Sequence, residues 1–150
     1  MKVFPIAPAG SGPFLVFVLI GALMLTLTVV FAFMAYSSRS LRFEVGASAL
    51  KISGDLYGRT IPFSSLEIDR LQVMNLNEQR EYRMRWRTNG VGLPNFASGW
   101  FKLRNGEKSL VFVTDRCRVV YIPTRDGYSL LVSPKQPDEF ATALKSAAGY

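Results

Sequence analysis

From Phe14 to Tyr36 the chain reads FLVFVLIGALMLTLTVVFAFMAY, 23 residues without a charged group, Asn, Gln or Pro. A helix of that length extends about 34 Å, enough to cross a hydrocarbon layer of about 30 Å with modest tilt. Its hydroxyls before Tyr36, Thr26 and Thr28, can each donate to a carbonyl one turn back and so cost little in lipid. A buried core helix would need partner helices, and the rest of the chain does not supply them. A cleaved signal peptide has an apolar core of about 7–15 residues directly behind a basic stretch. Here Lys2 is followed by Pro5, Pro8, Gly10, Gly12 and Pro13 before a longer run. The run is therefore read as an uncleaved, single-pass transmembrane helix at 14–36, behind a tail at 1–13.

Orientation follows from the flanking charges. Lys2 and the terminal amine stand before the helix, and Arg39, Arg42 and Lys51 follow it. This bias places the C-terminal part in the cytoplasm, on the inner (cytoplasmic) membrane. A single Cys, Cys117, agrees with a reducing compartment. Small residues four apart, Ala22 with Thr26 and Thr28 with Ala32, permit close approach of two helices, but nothing in the sequence calls for a homo-oligomer.

The chain has no His, which removes the usual general base and a common metal ligand; Ser-His-Asp triads and Cys-His pairs are excluded. One Cys excludes an internal disulfide or a CxxC cluster. No catalytic residue, metal or cofactor is expected, and the chain is not read as an enzyme. Residues 37–150 carry 17 of the 18 basic groups and all 11 acidic ones, net +6. The part outside the membrane is thus cationic.

After a polar linker and first extended segment at 37–48, the sequence reads as strands. Short runs rich in β-branched and aromatic residues cover 50–53, 57–62 and 66–74, the last with a bulge expected at Asp69-Arg70. Residues 100–104 and 109–114 flank Asn105-Gly106, a dipeptide suited to a tight hairpin turn. Asp115-Arg116 and Arg125-Asp126-Gly127 then lead into 117–122 and 128–132, predicting a four-strand antiparallel meander. At 137–148 the period changes. Pro137 suits a first helical position, Asp138 and Glu139 the first turn and Lys145 the last, with Phe140, Leu144 and Ala147 on one face. The fold class is one N-terminal transmembrane helix plus a mainly-β domain at 49–150, with about seven antiparallel strands and one C-terminal helix.

That plan resembles the bacterial pleckstrin-homology (PH) domain family of small membrane proteins. The resemblance rests on Tyr57-Gly58-Arg59-Thr60-Ile61-Pro62, Arg87-Thr88-Asn89-Gly90, Gly99-Trp100-Phe101-Lys102-Leu103 and the junction from Leu130 to Phe140. It implies a PH-like fold of two sheets closed by the C-terminal helix, tethered to a membrane. PH-like domains that bind phosphoinositides carry a basic constellation around their first hairpin. Here that hairpin offers only Lys51 and Arg59, with Asp55 at the turn.

The main candidate site is the run Arg80-Glu-Tyr-Arg83-Met-Arg85-Trp-Arg87. Read as a strand, it places Arg83, Arg85 and Arg87 in one row about 7 Å apart, with Tyr82, Met84 and Trp86 on the other face. Each such group is worth about 1 kcal/mol against an anionic leaflet, over a Debye length of about 8 Å. The alternative is a solvated face paired with Glu78 and Glu81. Separation of aromatic from basic residues argues against nucleic acid as a partner, and Trp86 is expected in the core. Cys117, in phase with Val119 and Tyr121, is expected to be buried. Gly90-Val91-Gly92 lacks the GK[ST] of a phosphate loop, and Glu67 with Asp69 reads as surface charge. The function expected is docking of a protein partner at the bilayer, with Arg80, Arg83, Arg85 and Arg87 biasing the domain toward anionic lipid. Direct binding of anionic head groups is the alternative.

Overall fold

The computed structural model describes residues 10–149. Lys2, Pro5 and Pro8, on which the reading of the N-terminal tail rests, lie outside the described residues. The chain divides into two compact units after Ser37.

The first unit is the apolar helix. Helix α1 spans Ser11–Ser40, wider at both ends than the 14–36 read from the sequence. Its segment Ser11–Tyr36 is long and apolar enough to cross a membrane, and none of it is buried in the protein. Thr26 and Thr28 donate to the carbonyls of Ala22 and Met24 at 2.9 and 2.8 Å, so both hydroxyls are satisfied within the helix.

The second unit is mainly β, with nine strands among the described residues where the sequence suggested about seven. Three short strands, β1 (Arg42–Val45), β2 (Ala49–Ser53) and β3 (Thr60–Pro62), form an antiparallel sheet. Six more form a second sheet: β4 (Gln72–Met74), β5 (Met84–Leu93), β6 (Phe96–Leu103), β7 (Lys108–Val113), β8 (Val119–Pro123) and β9 (Ser129–Val132). Its spatial order is β4-β8-β9-β7-β6-β5.

That order corrects two expectations. The run at 66–74 is not one bulged strand: Ile68–Arg70 makes a 3-10 turn, and only β4 joins the ladder, against β8. Nor do the last four strands form a meander. The β6–β7 and β8–β9 pairs are antiparallel, but β9 lies between β8 and β7 and runs parallel to β7, with Leu110 beside Leu130 and Phe112 beside Val132. The composition supplies the reason. Every residue of β9 and β8 is buried, as suits strands covered on both faces, so β9 takes a central place.

Alternation along β7 divides the interior. Leu110 and Phe112 face one way, into a core shared with Leu50, Ile52 and Ile61 of the small sheet. Val111 and Val113 face the other, with Phe101, Leu103, Tyr121 and Leu131. Leu76 and Tyr82, from the connection between β4 and β5, pack on this second core, the Tyr82 ring edge-on to Tyr121 at 4.8 Å.

Helix α2 spans Pro137–Ala147, with Pro137 at its start, Asp138 and Glu139 in its first turn and Lys145 in its last. It buries Phe140, Ala141 and Leu144 against the first core, Pro137 is also buried, and Phe43 of β1 meets Phe140 at 5.8 Å. Each large apolar side chain so covered contributes about 1.5–3 kcal/mol. Ala147 is exposed, not on the packed face; Ala141 lies there instead, one residue past Phe140.

Candidate binding face

Strand β5 is an edge of the large sheet, and β6 is its one strand partner among the described residues. Its pairing runs Met84 with Leu103, Trp86 with Lys102, Arg87 with Phe101 and Asn89 with Trp100. Two residues of β5 against one of β6, at Arg85 and again at Thr88, are β-bulges. Each bulge shifts the side-chain phase by one.

The uniform row of arginines therefore does not form. Directly paired residues share a face, so Arg87 stands on the side of Phe101 and Met84, and Trp86 on the side of Lys102. Trp86 is not in the core: 54% of it is exposed. The Arg85 guanidinium lies over its indole, 4.5 Å from the ring centre. Basic and aromatic groups thus stand together here, and the expected separation onto opposite faces fails because the bulge intervenes.

Arg83 precedes the strand and is committed elsewhere. Its Nε donates to the Leu76 carbonyl at 2.6 Å and its terminal nitrogen to the Asn77 carbonyl at 2.9 Å, tying down the connection that covers the second core. Arg80 is exposed, in a 3-10 turn over Arg80–Tyr82. Among the described residues the ion pairs are Lys51–Glu44, Arg70–Glu67 and Arg118–Asp138, so Glu78 and Glu81 do not pair with this cluster. Glu78 instead accepts from the Asn75 amide at 3.1 Å. Arg80, Arg85 and Arg87 make no ion pair among the described residues.

The two weaker basic candidates are held by the protein itself. Lys51 reaches Glu44 at 3.6 Å across β1 and β2. Arg59 lies 5.1 Å over the Trp100 ring, which Lys108 also approaches at 4.5 Å and Tyr128 meets edge-on. Asp55, at the turn after β2, accepts from the Ser98 hydroxyl at 2.6 Å and braces this loop against β6. The first hairpin is thus built around internal contacts.

Cys117 is exposed, not buried, because β8 begins only at Val119. Its thiol accepts from the Asn77 amide at 3.3 Å. Gly90 and Gly92 lie within β5 rather than in a loop. Glu67 is bonded to Arg70 at 2.8 Å.

The bends of β5 leave two neighbouring hollows that share Met84, Gly92 and Phe101. One, of about 310 Å³, adds Arg85, Trp86 and Arg87. The other, of about 380 Å³, adds Arg83, Arg104 and Arg116. Sequence reasoning missed Arg104 and Arg116 as site residues: they lie in two separate turns and join Arg83 only through the fold.

The family model described as "Bacterial PH domain" matches residues 41–148. No curated protein matches the chain, and no solved structure does.

Proposed function

From the premise that the chain belongs to the bacterial PH domain family, we propose that it is a non-catalytic binding module, anchored by α1, that docks a protein partner at the membrane surface. The observation that carries this reading is the exposed Arg85–Trp86–Arg87 segment on an edge strand, with no acidic partner for either arginine among the described residues. An exposed Trp flanked by Arg is the composition of interface hot spots, and an acidic segment of a partner complements its charge. Arg80, exposed in the turn before β5, adds a further positive charge to this part of the chain. The anchor leads into β1 within two residues of the end of α1, so docking takes place at high local concentration near lipid. The expected setting is the inner (cytoplasmic) membrane, with the domain on the cytoplasmic side.

A second reading has support of its own. Trp and Arg together also suit the headgroup layer of a bilayer, where the ring sits at the interface and the guanidinium meets phosphate. Anionic lipid would then be the primary ligand.

A photoreactive phenylalanine analogue at position 86 of the full chain, activated in native membranes, separates the two. A discrete protein adduct that disappears in the R85E/R87E variant supports docking. Adducts with lipid alone, dependent on anionic lipid and suppressed by salt, overturn docking in favour of lipid recognition.

A further inference from the structure

The hollow of about 380 Å³ has a composition of its own. Its floor is apolar: Leu76, Ala97 and Phe101 are almost fully buried, and Met84 and Leu93 continue the wall. Its polar lining is cationic, from Arg83, Arg104 and Arg116, and no Asp or Glu lines it. Three guanidinium groups around an apolar floor, with no carboxylate to neutralise them, call for a ligand that supplies both an anion and an apolar body.

The frame holding those arginines is built by the fold. The Leu76 N–H donates to the Arg116 carbonyl at 2.9 Å, and the Arg104 N–H to the Arg83 carbonyl at 3.0 Å. Arg83 closes the set through its own bond to the Leu76 carbonyl. Three segments distant in sequence, the β4–β5 connection, the turn after β6 and the turn after β7, are thereby fixed around one hollow. Arg104 and Arg116 make no ion pair among the described residues and remain exposed, available to an anion. The volume lies in the range of pockets that take small molecules.

We propose that this hollow binds a small anionic amphiphile, a phosphate monoester on a short alkyl body, with Arg104 and Arg116 on the phosphate and Phe101, Ala97 and Met84 against the chain. The site adjoins the Arg85–Trp86–Arg87 docking segment, sharing Met84, Gly92 and Phe101 with the hollow beside it, but draws on different arginines.

The test is calorimetric titration of the full chain, in nanodiscs of phosphatidylcholine, with hexyl phosphate, inorganic phosphate and hexanol. Hexyl phosphate is expected to bind at least tenfold tighter than inorganic phosphate, and hexanol to give no saturable signal. The R104Q/R116Q variant is expected to weaken hexyl phosphate at least tenfold, while R85Q/R87Q stays within twofold. A Cβ added at Gly92 meets only the Phe101 ring, at 3.4 Å, so Gly92→Ala narrows the hollow without a backbone clash and is expected to weaken hexyl phosphate further than inorganic phosphate. The Met84 methyl resonance is expected to shift during the titration, which reads occupancy directly. Submicellar dihexanoyl phosphatidic acid identifies the source: tighter binding than hexyl phosphate assigns the site to a lipid, weaker binding to a soluble monoester, and either supports the proposal. Equal affinity for inorganic and hexyl phosphate overturns it, as does binding indifferent to R104Q/R116Q. Tighter capture of a short acetylated peptide ending in Leu reassigns the hollow to a protein C-terminus and also overturns it.

Discussion

The Arg83 guanidinium donates to the main-chain carbonyl of Leu76 at 2.6 Å, so a residue that looks like part of a surface charge cluster pins the loop that carries a buried leucine. Leu76 is almost wholly buried in the second core, and the same guanidinium also holds the Asn77 carbonyl. Arg83→Met keeps the stem and removes both bonds. Charge-assisted bonds of this kind contribute about 1.5–3 kcal/mol, so the variant is expected to lose about 2 kcal/mol. Arg85→Met, on the exposed strand, is expected to change stability by less than about 0.5 kcal/mol. Thermal unfolding of both variants in the same detergent checks the contrast.

The difference between these arginines was not legible in the sequence, where both read as members of one alternating row. Alternation assumes an unbroken ladder, and the bulges at Arg85 and Thr88 depend on the partner strand β6, which local pattern does not reveal. The same limit hid the central place of β9: the turn at Arg125-Asp126-Gly127 shows that β8 and β9 are joined, not that β9 inserts beside β7. Signals contained in a single segment were legible. The uncharged run gave α1, Pro137 with Asp138 and Glu139 gave α2, and Asn105-Gly106 gave the β6–β7 hairpin, where Gly106 takes a φ of +91°. Arg104 and Arg116 had no sequence signal as a pair, because only backbone bonds to Arg83 and Leu76 bring them to one hollow.

Gly99 is expected to tolerate no side chain. Its φ is +113°, and a carbon added there would stand 2.6 Å from the Asn89 carbonyl oxygen and 2.6 Å from the Gly90 Cα across the β5–β6 ladder. Backbone cannot yield as a flexible side chain would, and a residue forced into such a conformation carries about 1–3 kcal/mol of strain before the collision is added. Gly99→Ala should therefore destabilise by more than Gly106→Ala, where φ is also positive but nothing lies within 4 Å. Denaturant midpoints of the two variants give the comparison.

Alkaline conditions should find a weak point at Tyr121. Burial, then its bond to Glu107 at 3.0 Å and the charge of that carboxylate, push its phenol well above the ordinary value. A raised folded-state value favours the protonated phenol in the native state. The stability it contributes is complete below the unfolded value of about 10 and is lost as pH climbs from there through the folded value. Tyr121→Phe is expected to cost about 1 kcal/mol at pH 7 through loss of the bond. Above pH of about 10 its stability should fall less steeply with pH than that of the parent chain. Denaturant unfolding at pH 7, 9, 10 and 11 measures both slopes.

The apolar helix gives the last prediction, because a spanning segment and a helix that merely passes for one respond differently to a buried charge. Leu25 lies at the middle of the uncharged run and is exposed along α1, so in a bilayer its side chain would face lipid or another helix near the midplane. An Arg at that depth costs about 2.5–3.5 kcal/mol on the insertion scale, and the lost Leu adds a few tenths. The ratio of inserted to uninserted chain should therefore fall by about two to three powers of ten, whatever the ratio in the parent. Leu25→Arg is expected to move protein into the alkaline-carbonate extract of isolated membranes, while Leu25→Ile, equal in volume and polarity, stays in the pellet. Identical pelleting of the two variants, with the mature chain found to begin beyond Tyr36, would mean that the helix is removed as a leader and that the domain works in solution.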